Sequence, residues 1–479
     1  MNATIHPDLD QTVHSIHLMG ICGTGMGTLA AMLQDAGYRV RGSDQNVYPP
    51  MSTFLASKGI QLLQGYRPAN LEPPPDLVVV GNVIRRDNPE AQALLQRGFS
   101  YCSMPQALGR FFLNSAQSLV VAGTHGKTTT SALLAWILTV AGLDPGCLVG
   151  GIMVNFDQSH RLGRGPYFVV EGDEYDTAFF DKGPKFLHYQ PWVVVLTSVE
   201  FDHADIFANL EAVEDAFRRL LAIIPKDGLL VVNADDPGAS RLSREAPCRV
   251  ITYGLRKPAQ FQAVDADYGV GMTRFGVRGP DGFRAEFASP LAGAHNLSNT
   301  LALIALSRVL GVGADAIQQA LATFKSVRRR QEVRGEPAGI TVIDDFAHHP
   351  TAVQATIEAL RPFYAGRRLW AVFEPRTNSS RRKVFQEQYA KAFDGADLVL
   401  VKEPPDLERI PAEDRFSAGK LVDDIAARGK EAHYFPDVNA MLAFILPRVR
   451  PRDVLLIMSN GSFDNLHEKL LERLRETYG

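Results

Sequence analysis

Glycine, lysine and threonine occur together in one short segment, VVAGTHGKTTT, in the combination that phosphate binding requires. A strand-like apolar run precedes the segment's glycines, and a helix-like apolar run follows its threonines. Gly123 and Gly126 permit a tight turn, and the helix N-terminus behind them directs backbone N–H groups at an anion. Lys127 can bridge terminal phosphates, and the Thr128 hydroxyl can bind magnesium. The segment predicts a nucleotide site with Lys127 at the end of an exposed loop. The longer G-x-x-x-x-G-K-[ST] spacing is absent, and the second substrate is not indicated.

A second glycine-rich turn, MGICGTGMG, lies near the N-terminus between a predicted strand and a predicted helix. This placement is typical of a turn that receives a nucleotide pyrophosphate. Cys22 takes the place of the middle glycine in one register of the G-x-G-x-x-G pattern, so the turn also fits a close-packed connection without a ligand. Asp44 ends the next predicted strand, where a carboxylate can meet a ribose hydroxyl.

Two acidic segments, VVEGDEYDTAFFD and TSVEFDHADIF, each follow a strand-like run, and sites of α/β proteins form at such strand ends. Magnesium prefers oxygen ligands and keeps positions for phosphate and water. Glu171 and His203 are therefore candidates for a second cation site beside the phosphate loop. The alternative for either residue alone is a solvated loop position.

The pattern H-N-x-x-N, at residues 295–299, opens a predicted helix. The side-chain amides of Asn296 and Asn299 can read the edge of an adenine. Ordinary capping of the helix by asparagine is the alternative.

Length and composition indicate about three globular domains, since the chain has 479 residues of which 46% are hydrophobic and 22% charged. A net charge of -3 gives no argument for a nucleic-acid or membrane partner. The four cysteines are scattered, which is typical of a reducing compartment. The N-terminus has no signal-peptide pattern, and no apolar run approaches the ~18 residues of a membrane span. We expect a cytoplasmic protein.

Strand-like and helix-like runs alternate along the chain, which predicts doubly wound α/β units. Among the strands is DLVVVGNVI, at residues 76–84. Residues 275–287 predict a hairpin about a Pro-Asp-Gly turn. The basic stretch at residues 327–336 is predicted to be a junction between units.

The motifs GTHGKTTT, EGDEYD, EFDHAD, HNLSN, RRRQE and DDFAHHP resemble the Mur ligase family in order and approximate spacing. The resemblance runs from GICGTGMG to MSNGSF, and it accounts for the short phosphate loop. It implies an ATP-dependent amide ligase with three domains. These are a Rossmann-like UDP-sugar-binding domain at residues 1–116, a P-loop ATPase-type α/β domain with a small hairpin at 117–327, and a Rossmann-like peptide-acceptor domain at 328–479.

The resemblance also implies site residues at matching positions. Those implied for ATP are Gly123, Thr124, His125, Gly126, Lys127, Thr128, Thr129, Asn296, Asn299, Arg330 and Asp345. Those implied for the UDP-sugar are Gly23, Thr24, Gly25, Met26, Gly27, Ser43 and Asp44. Those implied for the peptide are His348, Arg376, Asn378, Ser459 and Asn460. The implied catalytic residues are Lys127, Glu171, His203 and Arg330, and the implied ligands of two magnesium ions are Thr128, Glu171 and His203.

Within the family, GSD after the second strand together with GTHGKT resembles the branch that acts on UDP-N-acetylmuramate. Two acceptors compete there, L-alanine in de novo peptidoglycan synthesis and the tripeptide L-Ala-γ-D-Glu-meso-diaminopimelate in peptidoglycan recycling. The arginines that would hold a single amino acid fall on Thr377 and Ser380, which favours the tripeptide. No lysine lies between His203 and Pro225, so we expect no carbamylated lysine.

Two other classes of protein fit parts of the chain. An NAD-dependent oxidoreductase would use the first glycine-rich turn but leaves the phosphate loop without a role. A nucleotide-driven switch would use the phosphate loop but needs neither a UDP-sugar domain nor an acceptor domain. We expect a monomer or a weak homodimer with small-molecule substrates.

Overall fold

The computed structural model of the protein describes residues 13–49, 51–204 and 206–478. The chain forms two compact units. The first contains the residues up to Val199, Glu214–Thr252 and Ala305–Ile317, and the second contains Glu200–Val213, Tyr253–Ile304 and the residues from Gln318 onward.

The N-terminal sheet belongs to the first unit and is parallel throughout, in the order β3-β2-β1-β4-β5. Its strands are β1 Ser15–Met19, β2 Arg39–Asp44, β3 Gln61–Gln64, β4 Leu77–Val80 and β5 Tyr101–Ser103. Its helices are α1 Thr24–Asp35, α2 Met51–Ser57, α3 Pro89–Arg97 and α4 Met104–Leu108. Successive strands are added on one side of β1 up to β3 and on its other side from β4 onward. Ligands of such sheets bind at this switch point, between β1 and β4.

One predicted strand of this sheet is shorter than expected. The apolar run at residues 76–84 forms a strand only to Val80, because Ile84 N–H donates to the Gly81 carbonyl and closes a turn. The prediction of a strand to Ile84 was therefore wrong at its C-terminal end. The turn after Val80 brings residues 81–83 to the switch point.

The central sheet of the first unit has the order β14-β13-β12-β6-β9-β7-β8. Its strands and the adjoining hairpin are β6 Gln117–Ala122, β7 Gly146–Met153, β8 Gln158–Arg161, β9 Tyr167–Gly172, β10 Asp176–Ala178, β11 Asp181–Pro184, β12 Pro191–Leu196, β13 Leu229–Asn233 and β14 Arg249–Gly254. The helices of this part of the chain are α5 Lys127–Val140, α6 Leu210–Ala222 and α7 Pro237–Leu242. The phosphate loop follows β6, which pairs in parallel with β9 and β12.

The second unit contains an antiparallel meander, β15 Phe261–Gly269, β16 Met272–Arg278 and β17 Arg284–Ser289. The predicted hairpin is confirmed, since β16 and β17 pair across a turn at Pro280–Gly282. The helices that follow are α8 Ala294–Val309 and α9 Ala314–Thr323.

The C-terminal sheet lies in the second unit, in the order β18-β19-β23-β20-β21-β22. Its strands are β18 Glu332–Gly335, β19 Thr341–Asp345, β20 Leu369–Phe373, β21 Leu398–Lys402, β22 Glu431–Phe435 and β23 Val454–Met458, and only β18 is antiparallel to its neighbour. Its helices are α10 Pro350–Phe363, α11 Gln386–Ala392, α12 Ala418–Ala427, α13 Val438–Ile445 and α14 Leu466–Tyr478. A separate hydrophobic cluster covers each face of the sheet.

The parallel sheets and flanking helices of the described residues confirm the predicted fold class, an α/β protein of several domains. The exact domain limits stay predictions. Among the described residues, no helix combines the length and the apolar character that crossing a bilayer would need.

Candidate active site

The phosphate loop depends on its two glycines. Gly123 has a φ of 133°, and a Cβ atom there would lie 2.2 Å from the Thr197 hydroxyl oxygen. Gly126 has a φ of 83° and directly precedes α5. A side chain at either position would be strained, since L-residues rarely adopt these values. The loop is further fixed by Ser198, whose carbonyl and hydroxyl accept from the N–H groups of Thr124 and His125.

Lys127 is the first residue of α5, and a buried acidic residue holds its ammonium group. Nζ lies 2.9 Å from Glu174 Oε2 and 2.6 Å from the Gly123 carbonyl oxygen. Burial lowers the pKa of Lys127, but the carboxylates of Glu174, Asp173 and Glu171 together outweigh burial, and the net direction is upward. The prediction that Lys127 ends an exposed loop was wrong, since only 13% of its side chain is exposed. Lys127 is therefore a charged group that is already aimed at the loop.

Thr128 and Glu171 bring two hard oxygen donors together. The Thr128 hydroxyl donates to Glu171 Oε1 at 2.8 Å, and Gly150 N–H donates to Glu171 Oε2 at 2.7 Å. Hydroxyl and carboxylate oxygens are donors that magnesium prefers, so these residues fit the ion. His203 belongs to the second unit.

We expect Glu171→Ala and His203→Ala each to raise the magnesium concentration needed for half-maximal activity by about 10-fold or more, because each change removes a proposed ligand. Titration of activity with MgCl₂ measures this. Glu211, exposed on α6, provides the matched control Glu211→Ala. If both variants titrate like the parent enzyme, the ligand assignment is wrong.

A cavity of about 620 Å³ lies at the switch point of the N-terminal sheet. Its lining includes five of the residues predicted for the UDP-sugar, namely Gly23, Thr24, Gly25, Met26 and Asp44. The Asp44 carboxylate also accepts from the N–H groups of Cys22 and Asn46, which shapes the turn. The central part of the first unit contributes further lining residues, including Gly150, Glu171, Asp173, Lys185 and Tyr189.

Two residues predicted for the UDP-sugar do not line this cavity. The Ser43 side chain is fully buried and donates to Glu90 Oε1 at 2.7 Å. Gly27 lies inside α1, where a Cβ atom would be 2.5 Å from Met51 Sδ. Both residues serve packing around the turn in this structure, because their neighbours in the sequence, not they themselves, face the cavity.

Glu90, which was not predicted as a site residue, links three buried polar groups of the N-terminal sheet and its connections. Its buried carboxylate lies 2.6 Å from His17 Nε2 and accepts from Ser43 and from Asn70 Nδ2 at 2.7 Å. These groups come from distant parts of the chain, so no local pattern marks them. Through Ser43, the network holds β2 at the position directly before Asp44.

The three arginines of the junction have different surroundings. Arg328 pairs with Glu332 at 3.0 Å, and Arg329 donates to the carbonyl oxygens of Ser459 and Gly461 at 2.6 Å. Arg329 and Arg330 both lie over the Phe346 ring, 5.3 Å and 4.9 Å from its centroid. The contact between Arg330 and a phosphate stays a prediction.

Asp345 and the two asparagines of α8 have defined hydrogen bonds. Asp345 accepts from Gln331 N–H at 2.8 Å and from Ala347 N–H at 2.7 Å. Burial raises the pKa of Asp345, and the Arg330 charge opposes that rise. Asn296 donates its amide N–H to the Ala292 carbonyl at 2.8 Å, and Asn299 is buried in the same helix. The Asn296 bond is not a helix cap, because a capping side chain accepts from a backbone N–H. Both the capping alternative and the adenine contact stay predictions.

His203 and His348 both lie close to the buried Asp202. Burial alone would raise the pKa of Asp202. The neighbouring His203, His349 and His348 lower it by more, and the resulting pKa is about 2. Burial lowers the pKa of His348 to about 4, so its ring is neutral at pH 7. His203 itself has a φ of 54°, an uncommon conformation outside glycine. The cluster is a buried carboxylate surrounded by histidine side chains.

Four of the five predicted acceptor residues follow the ends of β20 and β23. Arg376 lies 3.5 Å from Glu374, whose carboxylate is fully buried and also binds Lys402 at 3.1 Å and the Ser459 hydroxyl at 2.7 Å. Asn378 accepts from Arg381 at 2.9 Å.

Asn460 follows Ser459, and its side-chain oxygen is buried with no hydrogen-bond partner among the described residues. A buried acceptor without a partner is rare in folded proteins. Arg376, Ser459 and Asn460 thus lie on neighbouring strand ends of one sheet, while His348 lies in the Asp202 cluster.

A phosphate loop after a central parallel strand, next to a large cavity at a sheet's switch point, defines a nucleotide-using α/β enzyme. Three family descriptions match successive parts of the chain. The catalytic domain of the Mur ligase family matches residues 15–115, the Mur ligase middle domain 121–307, and the Mur ligase glutamate ligase domain 329–461. The chain therefore belongs to the Mur ligase family, and the predicted enzyme class, a ligase, is confirmed.

Full-length relatives agree with this assignment. UDP-N-acetylmuramate–L-alanyl-γ-D-glutamyl-meso-2,6-diaminoheptandioate ligases from Haemophilus influenzae and Escherichia coli are 40% and 41% identical over 96% of this chain and 99% and 98% of theirs. A UDP-N-acetylmuramate–L-alanine ligase from Alkaliphilus metalliredigens is 31% identical over 95% of this chain and 96% of its own.

Two solved structures are also similar along their whole length. A murein peptide ligase from Psychrobacter arcticus is 35% identical, with a TM-score of 0.72 over 97% of this chain and 99% of that chain. A UDP-N-acetylmuramate–alanine ligase from Thermotoga maritima is 26% identical, with a TM-score of 0.80 over the same shares. The fold is common to both acceptor specificities.

Proposed function

We propose that the protein joins the tripeptide L-Ala-γ-D-Glu-meso-diaminopimelate to UDP-N-acetylmuramate at the expense of ATP, in peptidoglycan recycling. One observation carries the proposal. Over nearly the whole chain, identity to the ligases named for the tripeptide is 40–41%, against 31–34% for ligases named for L-alanine. The segment after β20 supports the proposal. Binding of a single amino acid would need arginines at positions 377 and 380, but Thr377 and Ser380 stand there, and the Thr377 hydroxyl donates to the Ser380 hydroxyl at 2.8 Å.

The reaction has two steps. The muramate carboxylate attacks the γ-phosphorus of ATP, and ADP leaves, so that an acyl phosphate forms. The tripeptide amine then attacks the acyl carbon, loses a proton, and inorganic phosphate leaves with the amide formed. Phosphorylation is required because oxide is a poor leaving group, and the protein's part is positioning and neutralisation of charge.

The residues of the first unit suit the first step. Lys127, whose ammonium is held at the loop, would bind the transferring phosphate, and the backbone of the loop would cradle the remaining ones. Thr128 and Glu171 would hold a magnesium ion, which neutralises phosphate charge when bound. Arg330 would add a second positive charge at the phosphate. Asp345 would position the backbone beside Arg330, since it accepts from the Gln331 N–H.

Domain roles and location complete the proposal. The UDP-sugar would bind within residues 1–116, ATP within 117–327 and the tripeptide within 328–479. The cytoplasm is the expected location, since ATP and a nucleotide-linked sugar are both substrates. A monomer or weak homodimer is expected.

An acceptor panel tests the proposal. Purified protein with ATP and UDP-N-acetylmuramate receives either the tripeptide or L-alanine, and phosphate release is followed. We expect turnover only with all three substrates and a kcat/KM for the tripeptide about 100-fold above that for L-alanine, since lost contacts to a missing substrate group cost several kcal/mol. Preference for L-alanine would assign the chain to the alanine-adding branch, and turnover with neither acceptor would refute both ligase activities.

A further inference from the structure

The cavity at the switch point has an unfavourable charge for an anionic substrate. Its lining contains three carboxylates, Asp44, Glu171 and Asp173, and among the described lining residues one basic side chain, Lys185. A UDP-sugar that also carries a carboxylate brings further negative charge. Charged groups taken out of water need an opposite charge or several hydrogen bonds. Lys185 is thus the basic side chain that this cavity offers to its ligand.

Lys185 is held in place by its neighbours. It begins the short 3₁₀ helix Lys185–His188 directly after the β10–β11 hairpin, and its N–H donates to the Tyr175 carbonyl at 3.0 Å. Its ammonium lies 2.7 Å from Asp173 Oδ2, and 5.5 Å from the centroid of the Tyr175 ring. With 19% of the side chain exposed, the ammonium keeps access to the cavity. A single ion pair uses one of its three N–H donors.

The position of Lys185 along the cavity identifies the part of the substrate it can meet. Glu171 lines the cavity and lies 2.8 Å from the Thr128 hydroxyl of the phosphate loop, so this end adjoins the nucleotide site. Asp173, the partner of Lys185, follows Glu171 by two residues at the end of β9. The glycine-rich turn and Asp44 belong to the N-terminal sheet. A substrate that fills the cavity must present its reacting group at the Glu171 end.

We propose that Lys185 binds the lactyl carboxylate of UDP-N-acetylmuramate and so selects this sugar over sugars without that carboxylate. The inference rests on the proposed function, because only a muramate substrate places a carboxylate at the reacting end. Lys185 donates a charge-assisted hydrogen bond to one carboxylate oxygen and leaves the other oxygen directed at the γ-phosphate. Asp173 orients the ammonium.

The test compares two ligands that differ in the lactyl group. Binding of UDP-N-acetylmuramate and of UDP-N-acetylglucosamine is measured by calorimetry for the wild type, Lys185→Met and Lys185→Arg. We expect Lys185→Met to weaken UDP-N-acetylmuramate binding about 10–100-fold, as for a lost charge-assisted hydrogen bond, and to leave UDP-N-acetylglucosamine binding within about twofold. Lys185→Arg keeps the charge and should retain part of the preference.

The matched control is Lys182→Met. Lys182 lies in the β10–β11 hairpin that precedes Lys185, is 69% exposed and pairs with Asp176 at 3.4 Å. It should not change the preference. An unchanged preference in Lys185→Met overturns the inference, and so does equal weakening of both ligands, which would mean that Lys185 only braces the hairpin. The ratio of the two affinities is independent of the folded fraction. A wild type that binds both ligands equally also overturns the inference, whereas a wild type that binds neither ligand would refute the proposed function.

Discussion

Lys127→Met should lower kcat for ligation by about 10²–10³-fold, the usual effect of removing one preorganised charge from a transition state. The ammonium is already fixed between Glu174 and the Gly123 carbonyl, so it needs little reorganisation to meet a phosphate. Methionine has a similar length and no charge. Phosphate release with all three substrates saturating measures the effect.

The same change leaves Glu174 buried without its ion-pair partner. Loss of one member of a buried pair commonly costs about 3–5 kcal/mol, so a lower melting temperature is expected as well. The double variant Lys127→Met with Glu174→Gln removes the unpaired charge. It should recover stability and remain inactive, which separates folding from catalysis. Near-normal turnover of this folded double variant would remove the phosphate loop from the mechanism.

The fold could be predicted from the sequence because its parallel strands are buried on both faces and appear as short apolar runs. β4, LVVV, is an example with all four residues buried. The same signal failed beyond Val80, where Val83 is 72% exposed and Ile84 is buried. An apolar residue of a turn at a binding cavity looks like a strand residue in the sequence.

The phosphate loop could be predicted because all its chemistry lies within a few consecutive residues. The carboxylates that hold the site's basic and polar groups could not be predicted, since they come from distant parts of the sequence. Glu174 is 47 positions from Lys127, and Glu90 is 73 from His17. Ser43 shows a related limit, because alternate residues of a strand face opposite sides, so it turns away from the cavity that Asp44 lines.

Arg376→Ala should raise the KM for the tripeptide about 10–100-fold and leave the constants for ATP and UDP-N-acetylmuramate within about twofold, because a guanidinium–carboxylate pair is among the stronger polar contacts. Glu374 orients Arg376 at 3.5 Å but is itself bound by Lys402 and Ser459. The guanidinium, 36% exposed, therefore keeps donors for a ligand. Gly461 permits this arrangement, since a Cβ atom there would lie 2.2 Å from Arg376 Cδ.

Two further variants make this prediction specific. Arg382→Ala removes an arginine of the same segment that pairs only loosely with Asp414, at 3.7 Å, and should leave the tripeptide KM unchanged. Arg376→Lys keeps the charge but loses the planar pair of donors, so an intermediate KM is expected if the ligand is a carboxylate. If Arg376→Ala shows parental tripeptide kinetics, the carboxylates of the acceptor are bound elsewhere. If instead all three substrate constants rise together, Arg376 supports the local fold through Glu374 and does not recognise the peptide.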